Sequence, residues 1–412
     1  MPEFLQLLPP DEARSLFLSY LSRPVTGSEI VAVPFALGRV LAEDIHAPHP
    51  LPDFPRSTVD GFAVHARDTH GASDSLPGYL KLAGEVPMGD APAFKISPGQ
   101  CGLIHTGGMV PEGADAVIML EHTQSAQEDE IEVLRPVAEG ENVIRVGEDV
   151  AQGQLVQAMG SWLRPAEIGG LMALGITEVR VRRKIRVGLI STGDEVIEPA
   201  QLPRPGQVRD VNSYTLSALI EGCGGTAIRY GIIADEFEGL RTVSIMALLE
   251  CDMVIITAGS SASTRDMTAD VIRSLGRPGV LIHGINTRPG KPTILGICEG
   301  KAVIGLPGNP VSALVNGYLF VVPVIEKLFG AQPRHRPSVL ARVTINLPSQ
   351  AGREDWWPVK LLRSDQRNTM EAEPIFGKSN LIFTLAAADG LLRIPPEATG
   401  LSAGETVEVF LI

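Results

Sequence analysis

The sequence predicts an α/β plus β protein of several domains, in which a mainly parallel α/β domain is flanked by small β domains. Three observations support this fold class. The chain has 412 residues, more than one compact core usually holds, so we expect roughly two to four domains. Apolar strand patterns alternate with helical patterns between residues 184 and 334, which is typical of a parallel sheet. On both sides, short apolar segments are separated by glycines and prolines.

The first fifty residues suggest a helix followed by a linker. Residues 11–23 place apolar side chains at helical spacing, including Ala13, Leu16 and Phe17. We assign residues 1–50 and 150–183 to a helix and linker domain. Residues 51–149 contain short apolar segments such as LKLAGEV and AVIMLEHT, and we assign them to a β domain.

The α/β domain is assigned to residues 184–334. We expect strands near 184–191, 227–232, 253–257, 280–285, 292–297 and 302–305, and helices near 213–221, 236–249, 269–275 and 310–329. Ligands of such sheets bind at the carboxyl ends of the strands. The segments VLARVTINL, WWPVKLL, GLLRIP and TVEVFLI then indicate a C-terminal β domain over residues 335–412.

Composition and charge narrow the function classes. The apolar fraction of 44% and charged fraction of 20% are those of a globular protein. A net charge of −13 disfavours nucleic-acid binding but leaves room for an anionic small ligand. We find no apolar run of about 20 residues and no signal-peptide pattern, so no membrane association is expected. The four cysteines form no CxxC pair, which favours free thiols in a reducing cytoplasm.

The strongest local signal is the segment GLPGNPVSALVNGYL, residues 305–319. A strand ends at Gly305, Gly308 lets a ligand approach the backbone, and Pro307 precedes it in the turn. Asn309 suits a helix N-cap and Pro310 the first helical position. The open helix N-terminus that results would favour an anion. A well-capped structural helix explains the same residues equally well.

Three other segments fall at strand ends of the same domain. STGDEV contributes Thr192, Gly193, Asp194 and Glu195, TAGSSASTRD contributes Ser260, Arg265 and Asp266, and RPGKP contributes Arg288 and Lys291. Hydroxyls and cations bind phosphate, and carboxylates beside phosphates usually hold Mg²⁺. Each segment alone is most often a surface turn, but four at one sheet edge indicate a site. RPGKP lacks the spacing of a P-loop.

The β domain carries further polar turns. STVDGFAV contains Asp60, HTGGMVPEGADAVIMLE contains Thr106 and Asp115, and RVGEDV contains Asp149. Taken singly, each is best explained as an exposed acidic turn. His46 and His49 lie among prolines without a supporting cluster of metal ligands.

Together these motifs resemble the molybdopterin molybdenumtransferase family, which includes MoeA and the gephyrin E-domain. The resemblance covers essentially the whole chain and keeps the motif order, from VDGFAV through STGDEV, GQVRDVNSYTL, RPGKP and GLPGNPVSA to GRED and KSNLIFTLAAADGLLRIP. It implies an elongated homodimer of four-domain subunits, with residues 1–50 and 150–183 as the dimerisation domain and residues 184–334 as the molybdopterin-binding domain. Its active site would form between the α/β domain of one subunit and the DGFAV-bearing β domain of the other.

The resemblance also implies an activity. Such proteins hydrolyse adenylylated molybdopterin with Mg²⁺ and insert molybdate to give molybdenum cofactor and AMP. The resemblance implies that this takes place in the cytoplasm, with the molybdopterin adenylyltransferase as an expected partner. Carried over residue by residue, it gives a set of catalytic residues: Asp60, Thr106, Glu195, Asp266 and Lys291. It implies three metal ligands: Asp149, Glu195 and Asp266. Binding of cofactor or oxyanion falls to Thr192, Gly193, Asp194, Ser260, Arg288, Pro307, Gly308, Asn309, Pro310, Arg353 and Ser379.

One segment departs from the family pattern. Many members read GGVSVGDYD or GGxSVGERD after the third strand, whereas this chain reads AGSSASTRD. Ala258 replaces a glycine, Ser263 and Thr264 replace a glycine–acidic pair, and Asp266 alone remains of the acidic residues. The alternative function is therefore a carrier or sensor that binds molybdopterin or oxyanion without turnover.

Overall fold

The computed structural model describes residues 7–21, 24, 27–127, 129–258, 262–334, 336–363 and 369–412, with only the backbone at 262–265. Helix α1 spans Pro10–Ser19 and buries Ala13 and Phe17 in the same core as the α/β sheet. It ends earlier than the predicted residue 23, because the amides of Tyr20 and Leu21 bond three residues back and tighten the last turn.

The linker region forms a small unit of its own. The strand Ser28–Ala32 pairs antiparallel with Glu178–Arg182, and helix α2 spans Pro165–Ala173. Side chains from both stretches share one apolar core that includes Val33, Leu171 and Val181. Residues 28–41 and 163–181 thus pack against each other although they are far apart in sequence.

The β domain contains a six-stranded sheet. Its strands, in spatial order, are Ala116–Met119, Gly61–Val64, Gln100–Ile104, Gly78–Glu85, Glu130–Val133 and Thr123–Gln127. The segment AVIMLEHT was expected as one strand, but a 3₁₀ turn at Leu120–His122 divides it. The strand Gly61–Val64 is buried throughout, which fixes the position of Asp60 at its start.

The α/β domain contains a second six-stranded sheet, with helices α3 (Asn212–Gly222), α4 (Phe237–Glu250) and α5 (Ala262–Ser274) between its strands. The strand order is Thr226–Ile233, Arg186–Thr192, Met253–Ala258, Lys301–Pro307, Ile294–Cys298 and Pro278–His283. The first four strands are parallel to one another. Ile294–Cys298 alone runs in the opposite direction, because Pro278–His283 pairs antiparallel with it, so the predicted fold class, with a mainly parallel sheet, is confirmed. The carboxyl ends at Thr192, Ala258 and Pro307 therefore lie along one edge of the sheet.

The predicted helix at 310–329 is interrupted by a π turn. Helix α6 spans Pro310–Asn316, the π turn Gly317–Val321, and helix α7 Val322–Phe329. Pro323 has no N–H and its ring would clash with the carbonyl one turn earlier, which a π turn relieves. The run has 20 residues and is apolar enough for a bilayer, with mean hydropathy 1.5, so the expectation that no such run exists is wrong. However, 72% of that stretch is buried inside the protein, as in a core helix.

The C-terminal β domain is a closed sheet. Its strands are Glu354–Arg363, Met370–Pro374, Ser338–Val343, Thr406–Leu411 and Gly390–Ile394, and the last pairs back to the first. The short strand Thr287–Arg288 of the α/β domain pairs parallel with Glu354 and Asp355, at the beginning of the first of these strands. Helix α8, Phe383–Ala386, follows the loop that carries Ser379. This strand and this loop join the two domains around the candidate site.

Candidate active site

The Pro-Gly-Asn-Pro turn forms the wall between two cavities. The first, here called the cationic cavity, has a volume of about 630 Å³ and lies between the α/β and C-terminal domains. The second, here called the polar cavity, has a volume of about 520 Å³ and lies over the strand ends of the α/β sheet. Pro307 lines the first, Gly308 and Pro310 line the second, and Asn309 lines both.

The hydrogen bonds of this turn differ from those expected. Asn309 is the N-cap residue of α6, but its side chain makes no capping bond and instead donates to Ser379 Oγ over 3.1 Å. The Val311 N–H, which belongs to the first helical turn, donates to the Ser379 carbonyl over 3.0 Å. The helix N-terminus is therefore less open than expected, because the Ser379 carbonyl in the C-terminal domain accepts the Val311 N–H.

The cationic cavity suits an anion. The described residues that line it include four cations, Arg288, Lys291, Arg353 and Lys378, together with Ser379. Arg288 and Lys291 come from the RPGKP loop and the others from the C-terminal domain. Four positive side chains around one space give an overall acidic protein a local anion site.

The RPGKP loop is held against α6 by a close backbone contact. Gly290 has φ +104°, and a Cβ there would lie 1.6 Å from Asn316 Nδ2. Asn316 is fully buried and donates to the carbonyls of Pro289 (3.2 Å) and Ser312 (2.8 Å). Only glycine fits this position, so the Pro-Gly pair fixes the adjacent Lys291. Asn316 was not anticipated, since its partner lies 27 residues away.

A buried hydrogen-bond network forms the floor of the polar cavity. Asp210 accepts bonds from Ser191 Oγ (2.8 Å), from Ser213 Oγ (2.6 Å) and from the Ser213 N–H (3.1 Å). Thr257 Oγ1 donates to Ser191 Oγ over 3.4 Å. Asn212 Nδ2 donates to the Gly308 carbonyl over 2.8 Å, which ties the cavity floor to the Pro-Gly-Asn-Pro turn.

Two buried polar atoms at the polar cavity have no partner among the described residues. They are Thr192 Oγ1 and Asn212 Oδ1, on residues that are 3% and 8% exposed. Such atoms cost free energy unless something binds them, and their place at the cavity makes both candidates for contact with a ligand. Asp210 and Asn212 were quoted within GQVRDVNSYTL but not assigned to the site. Their place at the junction between a short strand and the first residue of α3 was the available signal.

The other residues of STGDEV lie in different environments. Glu195 lines the polar cavity. Gly193 has φ +142°, and Asp194 is exposed and accepts a bond from the Asp235 N–H over 3.2 Å. Asp266 is exposed on α5. Ser260 lies outside the described residues.

The site residues predicted in the β domain lie elsewhere on the same chain. Asp60 Oδ1 accepts the Thr106 N–H over 2.8 Å and Thr106 Oγ1 over 3.2 Å. The backbone bond from Thr106 is the main reason that the pKa of the Asp60 carboxyl falls below its ordinary value. Asp149 lines a third cavity, of about 320 Å³, beside α2. None of these three lines the cationic or polar cavity.

The three predicted metal ligands are not brought together within one chain. Glu195 lines the polar cavity and Asp149 lines the third cavity, whereas Asp266 is exposed on α5. Across the part of the chain that the structure describes, no three His, Cys, Asp or Glu side chains are grouped to hold an ion. A site built only from protein ligands is therefore absent from that part.

Comparisons with known proteins agree with this architecture. Three family models match: the MoeA N-terminal region (domain I and II) over residues 8–175, a probable molybdopterin binding domain over 188–327, and the MoeA C-terminal region (domain IV) over 341–412. The molybdopterin molybdenumtransferases of Haemophilus influenzae and Bacillus subtilis are 34% and 32% identical, over 97% of each chain for the first and 98% and 94% for the second. A molybdopterin biosynthesis MoeA protein from Pyrococcus horikoshii superposes with a TM-score of 0.86 at 34% identity, over 99% of this chain and 100% of that one.

Proposed function

The chain belongs to the MoeA family and is a molybdopterin molybdenumtransferase of molybdenum cofactor biosynthesis, and we propose that its two cavities divide the substrates of that reaction. The cationic cavity would bind molybdate, and the polar cavity the pterin of adenylylated molybdopterin. The observation that carries this proposal is the shared wall: Asn309 lines both cavities.

The chemistry of each lining supports this division. Molybdate is a tetrahedral dianion, and Arg288, Lys291 and Arg353 supply charge-assisted hydrogen bonds suited to its oxygens. A pterin ring is neutral and presents N–H donors and carbonyl acceptors along one edge. The unpartnered Thr192 hydroxyl and Asn212 amide oxygen offer complementary groups.

The shared wall also orders the reaction in space. Hydrolysis of the phosphoanhydride would release AMP. The two dithiolene thiols would then bind molybdenum through sulfur and give their two protons to one molybdate oxygen, which leaves as water. Lys291 and Arg353 would hold molybdate still while this happens, and they would stabilise negative charge that develops beside the turn.

We propose that Mg²⁺ binds together with the adenylylated substrate. This ion prefers oxygen ligands, keeps several waters and commonly uses one or two carboxylates with substrate phosphates, so Glu195 at the polar cavity fits it without a larger cluster. Asp266 is the second candidate ligand. When bound, Mg²⁺ would supply electrophilic assistance at the phosphoanhydride. AMP release that is unaffected by EDTA would rule this role out.

We further propose that Asp60 and Thr106 act across a homodimer, because on their own chain they line neither main cavity. Co-expression of Asp60→Asn with Lys291→Met tests this. Mixed dimers would contain one doubly altered site and one intact site, so a random mixture should regain about a quarter of the parent activity. No recovery would mean that both residues serve the same subunit.

The whole proposal is tested by supplying purified protein with adenylylated molybdopterin, molybdate and Mg²⁺. We expect AMP release and a cofactor that reconstitutes an apo-enzyme, with strong loss in Lys291→Met. The matched control is Lys95→Met, because Lys95 is exposed in the β domain and pairs with Glu112. Tight ligand binding without AMP release would instead favour the carrier or sensor function.

Two further proposals concern the cell. We propose that the protein acts in the cytoplasm and receives its labile substrate directly from the molybdopterin adenylyltransferase. The four described cysteines are free, which agrees with a reducing compartment. Direct transfer would be disproved if a trap for free adenylylated molybdopterin abolished product formation in a mixture of the two enzymes.

A further inference from the structure

A buried carboxylate lies directly behind the cationic cavity. Asp355 is fully buried and accepts two hydrogen bonds from Arg353, from Nε over 2.6 Å and from Nη2 over 2.9 Å. Arg288 Nη1 lies 4.0 Å from the second carboxylate oxygen of Asp355. Both arginines line the cavity, whereas Asp355 is not among its lining residues.

The fold brings these groups together from two domains. Arg288 belongs to the short strand Thr287–Arg288 of the α/β domain, which pairs parallel with the C-terminal sheet so that Arg288 is opposite Asp355. The Arg288 guanidinium also lies over the Trp357 ring, 5.3 Å from its centroid. The Asp355 carboxylate therefore lies near Arg288 from the α/β domain and Arg353 from the C-terminal domain.

The geometry limits how Arg353 can present itself to a ligand. Its guanidinium is planar, so two bonds along one edge fix both its plane and its rotation. The N–H groups on its other edges then have defined directions. The hydrogen bonds to Asp355 also raise the pKa of the Arg353 guanidinium, so it remains a cation.

We propose that Asp355 is a positioning residue, which fixes Arg353 by two hydrogen bonds and attracts Arg288 electrostatically, and so sets the arrangement that recognises a tetrahedral oxyanion. The inference rests on the proposed function of the cationic cavity. Asp355 would not touch the anion itself. Its negative charge also reduces the repulsion between two arginines that the domain junction brings close together.

Asp355→Asn separates positioning from simple charge. The substitution keeps the side-chain shape but removes a negative charge, so the cavity becomes more positive. If charge alone governed affinity, molybdate would bind more tightly to this variant. If positioning governs affinity, molybdate should bind at least about tenfold more weakly, as is typical when a supporting partner is lost.

The experiment is calorimetric titration of the full-length protein with molybdate, and with sulfate as a dianion of the same charge and smaller size. We expect Asp355→Asn to weaken molybdate binding and to bring the two anion affinities closer together. Asp74→Asn is the charge control, since Asp74 is exposed in a turn of the β domain. It should change neither affinity nor selectivity.

Arg353→Lys provides a second variant that keeps the cation without the two-bond geometry. It should lose the same selectivity, and the double variant should be no worse than the poorer single one, because both act through one contact. Tighter or unchanged molybdate binding in folded Asp355→Asn would overturn the inference, as would unchanged selectivity in Arg353→Lys. Parent protein that binds no molybdate would instead refute the function proposed for the cavity.

Discussion

Thr192→Val should stabilise the ligand-free protein and impair its function. Thr192 lies at the carboxyl end of the strand Arg186–Thr192, 3% exposed, and its hydroxyl has no partner among the described residues. Valine has almost the same shape and suits a strand. Replacing the hydroxyl by a methyl group therefore removes a buried polar atom and leaves the packing largely intact.

The magnitude follows from the cost of leaving a hydroxyl unpaired. A buried group of this kind costs about 1–3 kcal/mol, so the variant should gain roughly 1–2 kcal/mol. Thr257→Val is the matched control on the neighbouring parallel strand. Thr257 is 5% exposed but donates to Ser191 Oγ over 3.4 Å, so its loss should cost about 0.5–1 kcal/mol.

Hydrogen exchange is the suitable assay, because a chain of several domains does not unfold in two states. Amide protection in the strands Arg186–Thr192 and Met253–Ala258 reports opening of this part of the sheet. We expect protection to rise about tenfold in Thr192→Val and to fall in Thr257→Val, since about 1.4 kcal/mol is tenfold. AMP release should slow about tenfold in Thr192→Val, because the ligand loses one hydrogen bond.

Equal loss of protection in the two variants would refute the reasoning. It would mean that the Thr192 hydroxyl already has a partner in the free protein, so that it marks no ligand. Gain of protection with unchanged AMP release would show that the hydroxyl is unpaired but lies outside the substrate contacts.

Three further predictions follow from the same structure. Gly290→Ala should destabilise the RPGKP loop by more than about 3 kcal/mol, through backbone strain and the clash with Asn316. Gly300→Ala is the control, because Gly300 has φ +79° but open space around it, so this variant has the backbone strain without the clash. Hydrogen exchange of the two variants would compare the costs. Burial raises the pKa of Cys101 to about 12 and those of Cys223 and Cys298 to about 11, so a thiol reagent at pH 8 should label these cysteines quickly only after denaturation; rapid labelling of native protein would contradict this. The pKa of the Asp60 carboxyl is lowered from its ordinary value of 3.8. Its hydrogen bonds with Thr106 should therefore persist at pH 3.8 and above, and be lost only as the pH falls through the lowered pKa of the folded protein. A carboxyl NMR titration that gives a pKa above 3.8 would contradict this.

The sheets were predictable where burial leaves a simple pattern. The strands Met253–Ala258 and Lys301–Pro307 are buried along almost their whole length, and a parallel sheet covered on both faces produces such continuous apolar runs. The π turn at Gly317–Val321 was not predicted, because apolar spacing alone does not show how the backbone adapts to Pro323. The early end of α1 was missed for a similar reason, since local backbone bonds decide it.

The candidate site was predictable as a set of strand ends but not as two cavities. STGDEV and the Pro-Gly-Asn-Pro turn meet because parallel strands end at one edge. The cationic cavity depends on contacts between Asn309 and Ser379, 70 residues apart. No local pattern specifies such a pairing, and the same holds for Asn316 and the Pro289 carbonyl.

These contacts change how an anion would be bound at the Pro-Gly-Asn-Pro turn. A helix N-terminus attracts anions through unpaired N–H groups, yet Ser379 accepts the Val311 N–H and the Asn309 side chain turns to the same residue. Under the proposed function, anion recognition would therefore depend mainly on side chains, above all on Arg288, Lys291 and Arg353, which line the cationic cavity. Two of these come from the α/β domain and one from the C-terminal domain. Oxyanion affinity should consequently depend on how the two domains are joined, and the strand Thr287–Arg288 and the Asp355 carboxylate lie at that junction.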